Sequence, residues 1–282
     1  MDQPKPFGTL YVVATPVGNL SDITFRAVDI LNQVDLIAAE DTRHSKKLLS
    51  HYDIGTKLVS CHEHNEEKKA PQLITQLKNG LNIALICDAG TPSISDPGYK
   101  LVTAVAREQI RVIPIPGCSA AIAGLSVSGL PTDSFLFLGF LPKKQPKQRQ
   151  ALEAIKDQIA TLIFYESPKR IKRLIDTLLD IIGDRGACLA REITKLHEEY
   201  IRGTLSEILH ALDEKETIKG ECSLFVQGCS QKKTISQEEL EKIVLDRLST
   251  THLGTLGLAK EISNDYRLSK KMIYEMILKV EK

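Results

Sequence analysis

The feature that most constrains this chain is an alternation. From residue 10 to residue 115, short β-branched runs and amphipathic stretches take turns. Leu10–Ala14, Leu36–Ala39, Lys57–Ser60, Ile83–Ile86 and Arg111–Ile115 read as strands. Residues 21–34, 44–52, 65–79 and 98–109 read as helices, the first capped by Ser21 or Asp22 and the third closed by Gly80. Strands separated by helices are joined by crossovers rather than hairpins, so the spacing predicts parallel βαβ units and an α/β sheet.

The rhythm changes after Pro116–Gly117. A helix rich in small residues is expected over about 118–129, then strands at 135–140, 161–165, 187–193, 199–203 and 223–226. A helix is expected between the first two of these strands, and others at 169–182 and 205–215. The short turn between 193 and 199 predicts an antiparallel hairpin, hence a mixed sheet. From Ser230 the strands stop, and 236–249, 254–264 and 269–280 carry helical periodicity. The chain thus reads as an N-terminal α/β domain (1–117), a second α/β domain (118–229) and a small helical appendage (230–282). Leu268–Tyr274 fits the second helix of a helix-turn-helix unit, and a plain helical cap or dimer element fits equally.

Several classes are excluded or disfavoured. The sequence has no G-x-G-x-x-G after the first strand and no G-x-x-x-x-G-K-[ST] anywhere. No two of its six cysteines are spaced C-x-x-C, and Cys87 lies in an apolar run, so buried free thiols in a reducing compartment are expected. The uncharged stretch 112–132 carries three prolines and three glycines, too many for a membrane span. No apolar leader precedes the first strand, and a cytoplasmic protein is expected.

In open α/β sheets ligands bind beyond the carboxyl ends of the strands. The five turns at those positions are 14–20, 40–44, 61–66, 88–98 and 116–121. All are rich in Gly, Pro and polar residues, which predicts a binding cleft. Gly90 and Gly117 allow close approach of a ligand to the backbone. Ser119, Ala120 and Ala121 open a helix whose free N–H groups suit a polar ligand group. His62 and His64 alternate at a strand end and share a face there. Two imidazoles are an incomplete metal set, and no metal is expected. As proton-transfer groups they are better placed, with Glu63 and Asn65 beside them and Asp41 and Arg43 one strand away. A buried acid–arginine pair that merely orders its loop is the structural alternative for the latter two. Glu166 and Arg170 follow a strand of the second domain and could face the same cleft.

The net charge is only +1, which at first sight disfavours a nucleic-acid partner. The aromatic content of 5%, with no Trp, likewise disfavours a base-stacking platform. The distribution of charge says more. Residues 141–173 hold nine bases against three acids. Such a stretch can hold phosphates, or can be a solvated helix face.

The turns also carry a resemblance. Ala14–Thr24, Ala39–His44, Asp88–Pro92, Asp96–Tyr99 and Phe164–Ser167 resemble, in order, motifs of the small-subunit ribosomal RNA methyltransferases. These belong to the tetrapyrrole methylase superfamily, the class III methyltransferases. The likeness spans residues 8 to about 228; Gly117–Cys118–Ser119 departs from an expected Gly-Pro-Cys. It implies two α/β domains with S-adenosylmethionine in the cleft between them, 2′-O-methylation of a cytidine in the decoding region of 16S rRNA, and a homodimer. The partner expected is 16S rRNA, within the 30S subunit or as the naked RNA, between which the sequence does not choose. Carried onto this chain, the cofactor residues are Pro16, Asp88, Gly90, Thr91, Ser95, Ser119, Ala120, Tyr165, Gly220 and Glu221. For proton transfer and grip on the ribose the expectation falls on Asp41, Arg43, His62, Glu63, His64 and Asn65, then Glu166 and Arg170. For RNA it falls on Lys143, Lys144, Lys147, Arg149, Lys169 and Arg173. A carbon methyltransferase acting on a tetrapyrrole, and an RNA-binding assembly factor with a vestigial cofactor fold, are the rival readings. The basic stretch and the tail argue against the first, and cofactor binding would separate the second.

Overall fold

The structure, a computed structural model, describes residues 6–229, 237–250, 253–266 and 268–280. Two compact units divide the chain after Cys229. In the first unit, β1 (Thr9–Val13), β2 (Leu36–Ala39), β3 (Leu58–Ser60), β4 (Ile83–Ile86) and β5 (Arg111–Ile115) form a wholly parallel sheet of order β3-β2-β4-β1-β5. Central β2 and β4 are buried along their whole length, as parallel strands covered on both faces must be. The crossovers are α1 (Phe25–Gln33), α2 (Thr42–His51), α3 (Glu66–Lys78) and α4 (Tyr99–Arg107). On one face Leu73, Leu77, Leu101 and Val105 pack against Leu10, Ala38 and Leu85. On the other, Ala27, Leu31 and Leu49 pack against Ile37, Ala39 and Ile86.

α1 begins later than the sequence suggests. Residues Leu20–Asp22 form a separate 3-10 turn, Ile23 is extended, and Thr24 is the N-cap. The Thr24 side chain accepts the Ala27 N–H at 3.1 Å, so neither Ser21 nor Asp22 caps the helix. α3 ends at Lys78 and is closed as expected by Gly80, whose φ of +89° a side chain would resist.

After β5 the chain crosses to a second sheet. α5 (Ala120–Ser128) sets Ala121 and Leu125 against Ile163, Cys188 and Phe225. The approach is so close that a Cβ on Gly124 would lie 2.3 Å from the Phe225 ring. The strands are β6 (Phe135–Phe140), β7 (Thr161–Glu166), β8 (Gly186–Arg191), β9 (Glu199–Thr204) and β10 (Cys222–Val226). Their order is β6-β7-β10-β8-β9, with β6 and β7 parallel and every other pair antiparallel. The expected mixed sheet and the β8–β9 hairpin are both present. α6 (Gln145–Glu153), α7 (Ile171–Ile182) and α8 (Leu205–Asp213) cover its far face through Leu152, Leu174, Leu178, Ile208 and Leu212.

The second unit comprises α9 (Gln237–Thr250), α10 (Thr255–Tyr266) and α11 (Lys270–Val280) around Leu240, Val244, Leu258, Ile262, Ile273 and Ile277. Arg247 of α9 ion-pairs with both Glu261 and Asp265 of α10. The expected start of α9 at Ser236 lies outside the described residues. No described helix is long and apolar enough to cross a membrane.

Candidate functional site

A cavity of about 280 Å³ opens where the strand ends of the two sheets meet. From the first sheet come Val17 after β1, the loop after β4 (Ala89, Gly90, Thr91, Ile94, Ser95, Asp96), and Ser119 and Ala120 at the start of α5. From the second come Phe140, the run Tyr165–Pro168 at the end of β7, Ile193 after β8, and Gly220–Ser223 leading into β10.

The loops that form this wall are tightly specified. Thr15 and Gly90 exchange backbone hydrogen bonds at 2.8 and 3.0 Å, which ties the β1 turn to the β4 turn. The Thr91 hydroxyl donates to the Cys118 carbonyl at 3.0 Å, adding the β5 turn. Ser93, Ser95, Glu192 and Thr194 all have positive φ, between 52° and 72°, a conformation that costs a side-chain-bearing residue about 1–3 kcal/mol. Such strain held by surrounding groups is common beside ligand sites.

A hydrogen bond at the cavity joins the two sides. The Tyr165 hydroxyl accepts the Ala121 N–H at 2.9 Å, so the phenol fills the N-terminal position on α5 where the sequence alone suggests a ligand. Burial pushes this phenol up to about 12, against the opposing Ala121 N–H. The ring is fixed edge-on between Phe137 and Phe140, at 5.1 and 5.7 Å.

Acidic groups gather on the cavity wall and in the turns beside it. Burial pushes the Asp96 carboxyl above its ordinary value; a hydrogen bond from the Cys87 thiol opposes this, and the nearby Asp88 and Glu221 carboxylates add to it. Burial likewise raises Glu40, which accepts the Asp88 N–H at 3.4 Å. Asp88 Oδ1 in turn accepts the Asp41 N–H at 3.1 Å. On the cavity wall, Glu166 is only 3% exposed and pairs with the Arg170 guanidinium at 2.5 Å. The same oxygen accepts the Ser167 N–H at 2.6 Å. A turn over 168–170 precedes α7, which begins at Ile171 rather than at the expected residue 169.

The chain matches the tetrapyrrole (corrin/porphyrin) methylases over residues 9–209. It belongs to this family. Among curated tetrapyrrole methylase relatives, ribosomal RNA small subunit methyltransferase I of Halalkalibacterium halodurans is 50% identical, with 95% of this chain and 94% of that protein aligned. The protein of the same name from Bacillus subtilis is 41% identical over 95% and 93%. Among solved structures, uroporphyrin-III-C-methyltransferase from Thermus thermophilus superposes with a TM-score of 0.57 at 21% identity, covering 78% of this chain and 94% of that one. Diphthine synthase gives 0.60 at 15% identity, over 78% and 90%. These two likenesses establish the methylase fold.

The expected site residues divide in this tetrapyrrole methylase. Gly90, Thr91, Ser95, Ser119, Ala120, Tyr165, Gly220 and Glu221 line the cavity, and Pro16 and Asp88 do not. Of the expected catalytic set only Glu166 lines it, with Arg170 attached. Asp41 is the N-cap of α2, its carboxylate held low chiefly by the Arg43 N–H that it accepts at 2.7 Å. The pairing is with the Arg43 backbone, and it is exposed rather than buried. His62 and His64 lie in a turn beyond β3 rather than on it, with rings 6.0 Å apart. Asn65 accepts the His62 N–H at 2.9 Å and donates to Ser60, while Glu63 is exposed. Among the described residues no His/Cys/Asp/Glu cluster fit for a metal is present.

The basic stretch is also divided. Arg149 pairs with Asp180, and Arg173 donates to the Lys143 carbonyl at 3.2 Å. Among the described residues Lys143, Lys144, Lys147 and Lys169 are exposed and make no ion pair. Sequence reasoning missed Asp96 and Phe140 as wall residues; Asp96 stands within a recognised motif, whereas Phe140 has no signal beyond being aromatic at a strand end.

Proposed function

We propose that this chain transfers the methyl group of S-adenosylmethionine to the ribose 2′-oxygen of a cytidine in the decoding region of 16S rRNA. The observation that carries the reading is the cavity between the strand ends, with a half-buried carboxylate, Asp96, on its wall. S-adenosylmethionine brings a sulfonium-activated methyl and a positive charge, and a desolvated carboxylate is the group that attracts such a cation. Gly90, at φ +82°, leaves backbone open on the same wall. The small side chains of Ser119 and Ala120 leave room, and Thr91, Ser95, Tyr165, Gly220 and Glu221 complete the enclosure. Pro16 and Asp88 are assigned a supporting part behind it, Asp88 through its bond to the Asp41 N–H.

Positioning carries much of the barrier reduction in such a transfer. Glu166 of the cavity wall holds the partly exposed Arg170 guanidinium, which can grip a ribose or phosphate oxygen. The proton leaving the hydroxyl passes to a carboxylate of the cavity wall. Asp41, Arg43, His62, Glu63, His64 and Asn65 shape the neighbouring turns, and the unpaired Lys143, Lys144, Lys147 and Lys169 take the RNA backbone. The names of the relatives support a small-subunit RNA substrate, which we place within the 30S particle in the cytoplasm. Phe25 and Leu196, each 94% exposed, supply apolar surface for a homodimer.

The test is methyl transfer from labelled cofactor to 30S subunits and to free 16S rRNA, followed by mapping of the modified nucleotide. Label at a cytidine 2′-oxygen is expected. Absence of incorporation into both substrates overturns the reading.

A further inference from the structure

We propose that Phe140 is a stacking platform for the base of the target nucleotide. This rests on the RNA-methylation reading above and names the residue that would hold the substrate.

Phe140 ends β6 and lines the cavity, yet its side chain is 57% exposed. An aromatic ring left in water at a strand end forgoes the free energy of burial, which favours something covering it. Its orientation is set by two features. Its edge approach to Tyr165, centroids 5.7 Å apart at 63°, fixes one side of the ring. A bulge fixes the backbone: between Phe137 and Gly139 the β6–β7 register slips, so that Leu138 has no partner. Bulges are rare between parallel strands and serve to re-aim a side chain beside an active site. Gly139 is needed there, because its φ is +57° and a Cβ would sit 2.7 Å from the Ser95 hydroxyl on the opposite wall.

The surroundings choose the occupant. Lys143, Lys144 and Lys147 begin three residues beyond Phe140, exposed and without ion pairs among the described residues. Arg173 anchors the Lys143 carbonyl and so fixes where this segment starts. A flat apolar ring between a cavity and a run of free ammonium groups fits a nucleotide turned out of its strand, with the base on the ring and the flanking phosphates on the lysines. The low aromatic content is no obstacle, because one ring suffices for one base.

Three variants test this: Phe140→Ala, Phe140→Leu and Phe140→Trp. Each is assayed for S-adenosylmethionine affinity by calorimetry, for thermal melting, and for steady-state methyl transfer to 30S subunits. In the alanine and leucine variants KM for the subunit should rise on the order of tenfold or more, with cofactor affinity unchanged and with the tryptophan variant near wild type. The leucine variant keeps the apolar bulk and decides the matter if the alanine variant melts early. Wild-type KM in both overturns the platform, as does a parallel loss of cofactor affinity, which would give the ring to the cofactor. A wild-type chain that methylates no RNA overturns the underlying reading and this inference with it.

Discussion

The Tyr165 hydroxyl and the Ala121 N–H, 2.9 Å apart, join the second sheet to the first turn of α5. Removing the hydroxyl in Tyr165→Phe keeps the ring between Phe137 and Phe140 and leaves a half-buried N–H unpaired. The expected cost is about 1 kcal/mol of stability, together with a several-fold loss of cofactor affinity. Urea titration and calorimetry measure the two effects. An unchanged affinity would show that α5 keeps its place without this bond.

Asp96 makes the pH dependence of the protein informative. In the folded chain its pKa lies above the ordinary aspartate value, chiefly through burial, so its charge opposes folding at neutral pH. As pH falls through the folded-state pKa the folded protein takes up a proton first, and this penalty disappears; below the unfolded value nothing further is gained. Glu40 acts in the same direction. Asp96→Asn should therefore be more stable than wild type at pH 7, with the difference shrinking as the pH is lowered toward the ordinary carboxylate range. Cofactor affinity should move the opposite way and fall at pH 7, because the cation loses its partner. Denaturation at several pH values, paired with calorimetry, checks both signs.

The lysines after β6 predict a salt effect. The triple change of Lys143, Lys144 and Lys147 to Glu should weaken RNA binding and reduce the dependence of log K on log salt by about one for each phosphate no longer neutralised. Cofactor affinity should not change, since none of the three lines the cavity. Filter binding across a salt series reads the slope. An unaltered slope would return this stretch to a solvated helix face.

Glu66 predicts a purely structural cost. It is 3% exposed, and its carboxylate accepts the Leu101 N–H at 2.8 Å, tying α3 to the start of α4. Glu66→Ala should lose about 1–3 kcal/mol, because a buried donor is left unpaired. Chemical denaturation measures it, and cofactor affinity per folded molecule should stay the same.

The scaffold is legible in the sequence because βαβ alternation fixes which turns share an end of the sheet. β2, β4, β5 and β6 have the bounds expected from their apolar runs, and Gly90, Ser119 and Ala120 reach the cavity for the same reason. Side-chain duties are less legible. Asp41 reads as a proton-transfer group or as half of an acid–arginine pair until α2 is seen to begin at the next residue, which makes it the helix cap. Asn65 and His62 likewise spend polar groups on their own turn. Asp96 stands in a turn of interest, but its raised pKa rests on burial and on the approach of the Asp88 and Glu221 carboxylates, a convergence that only the fold reveals. Phe140 disappears into a low aromatic total; its place at the end of β6, beside the cavity, is what gives the ring its importance.

The crossover from β5 to α5 has a thermodynamic consequence. Residues 116–134, with α5 in their midst, are both the covalent link between the sheets and, through Ser119 and Ala120, part of the cavity wall. A ligand seated there touches the joint as well as both halves, so its binding free energy adds to whatever keeps the halves together. Loosening that joint anywhere, even at a residue that meets no ligand such as Gly124, should weaken binding, and a saturating ligand should mask the defect in a melting curve.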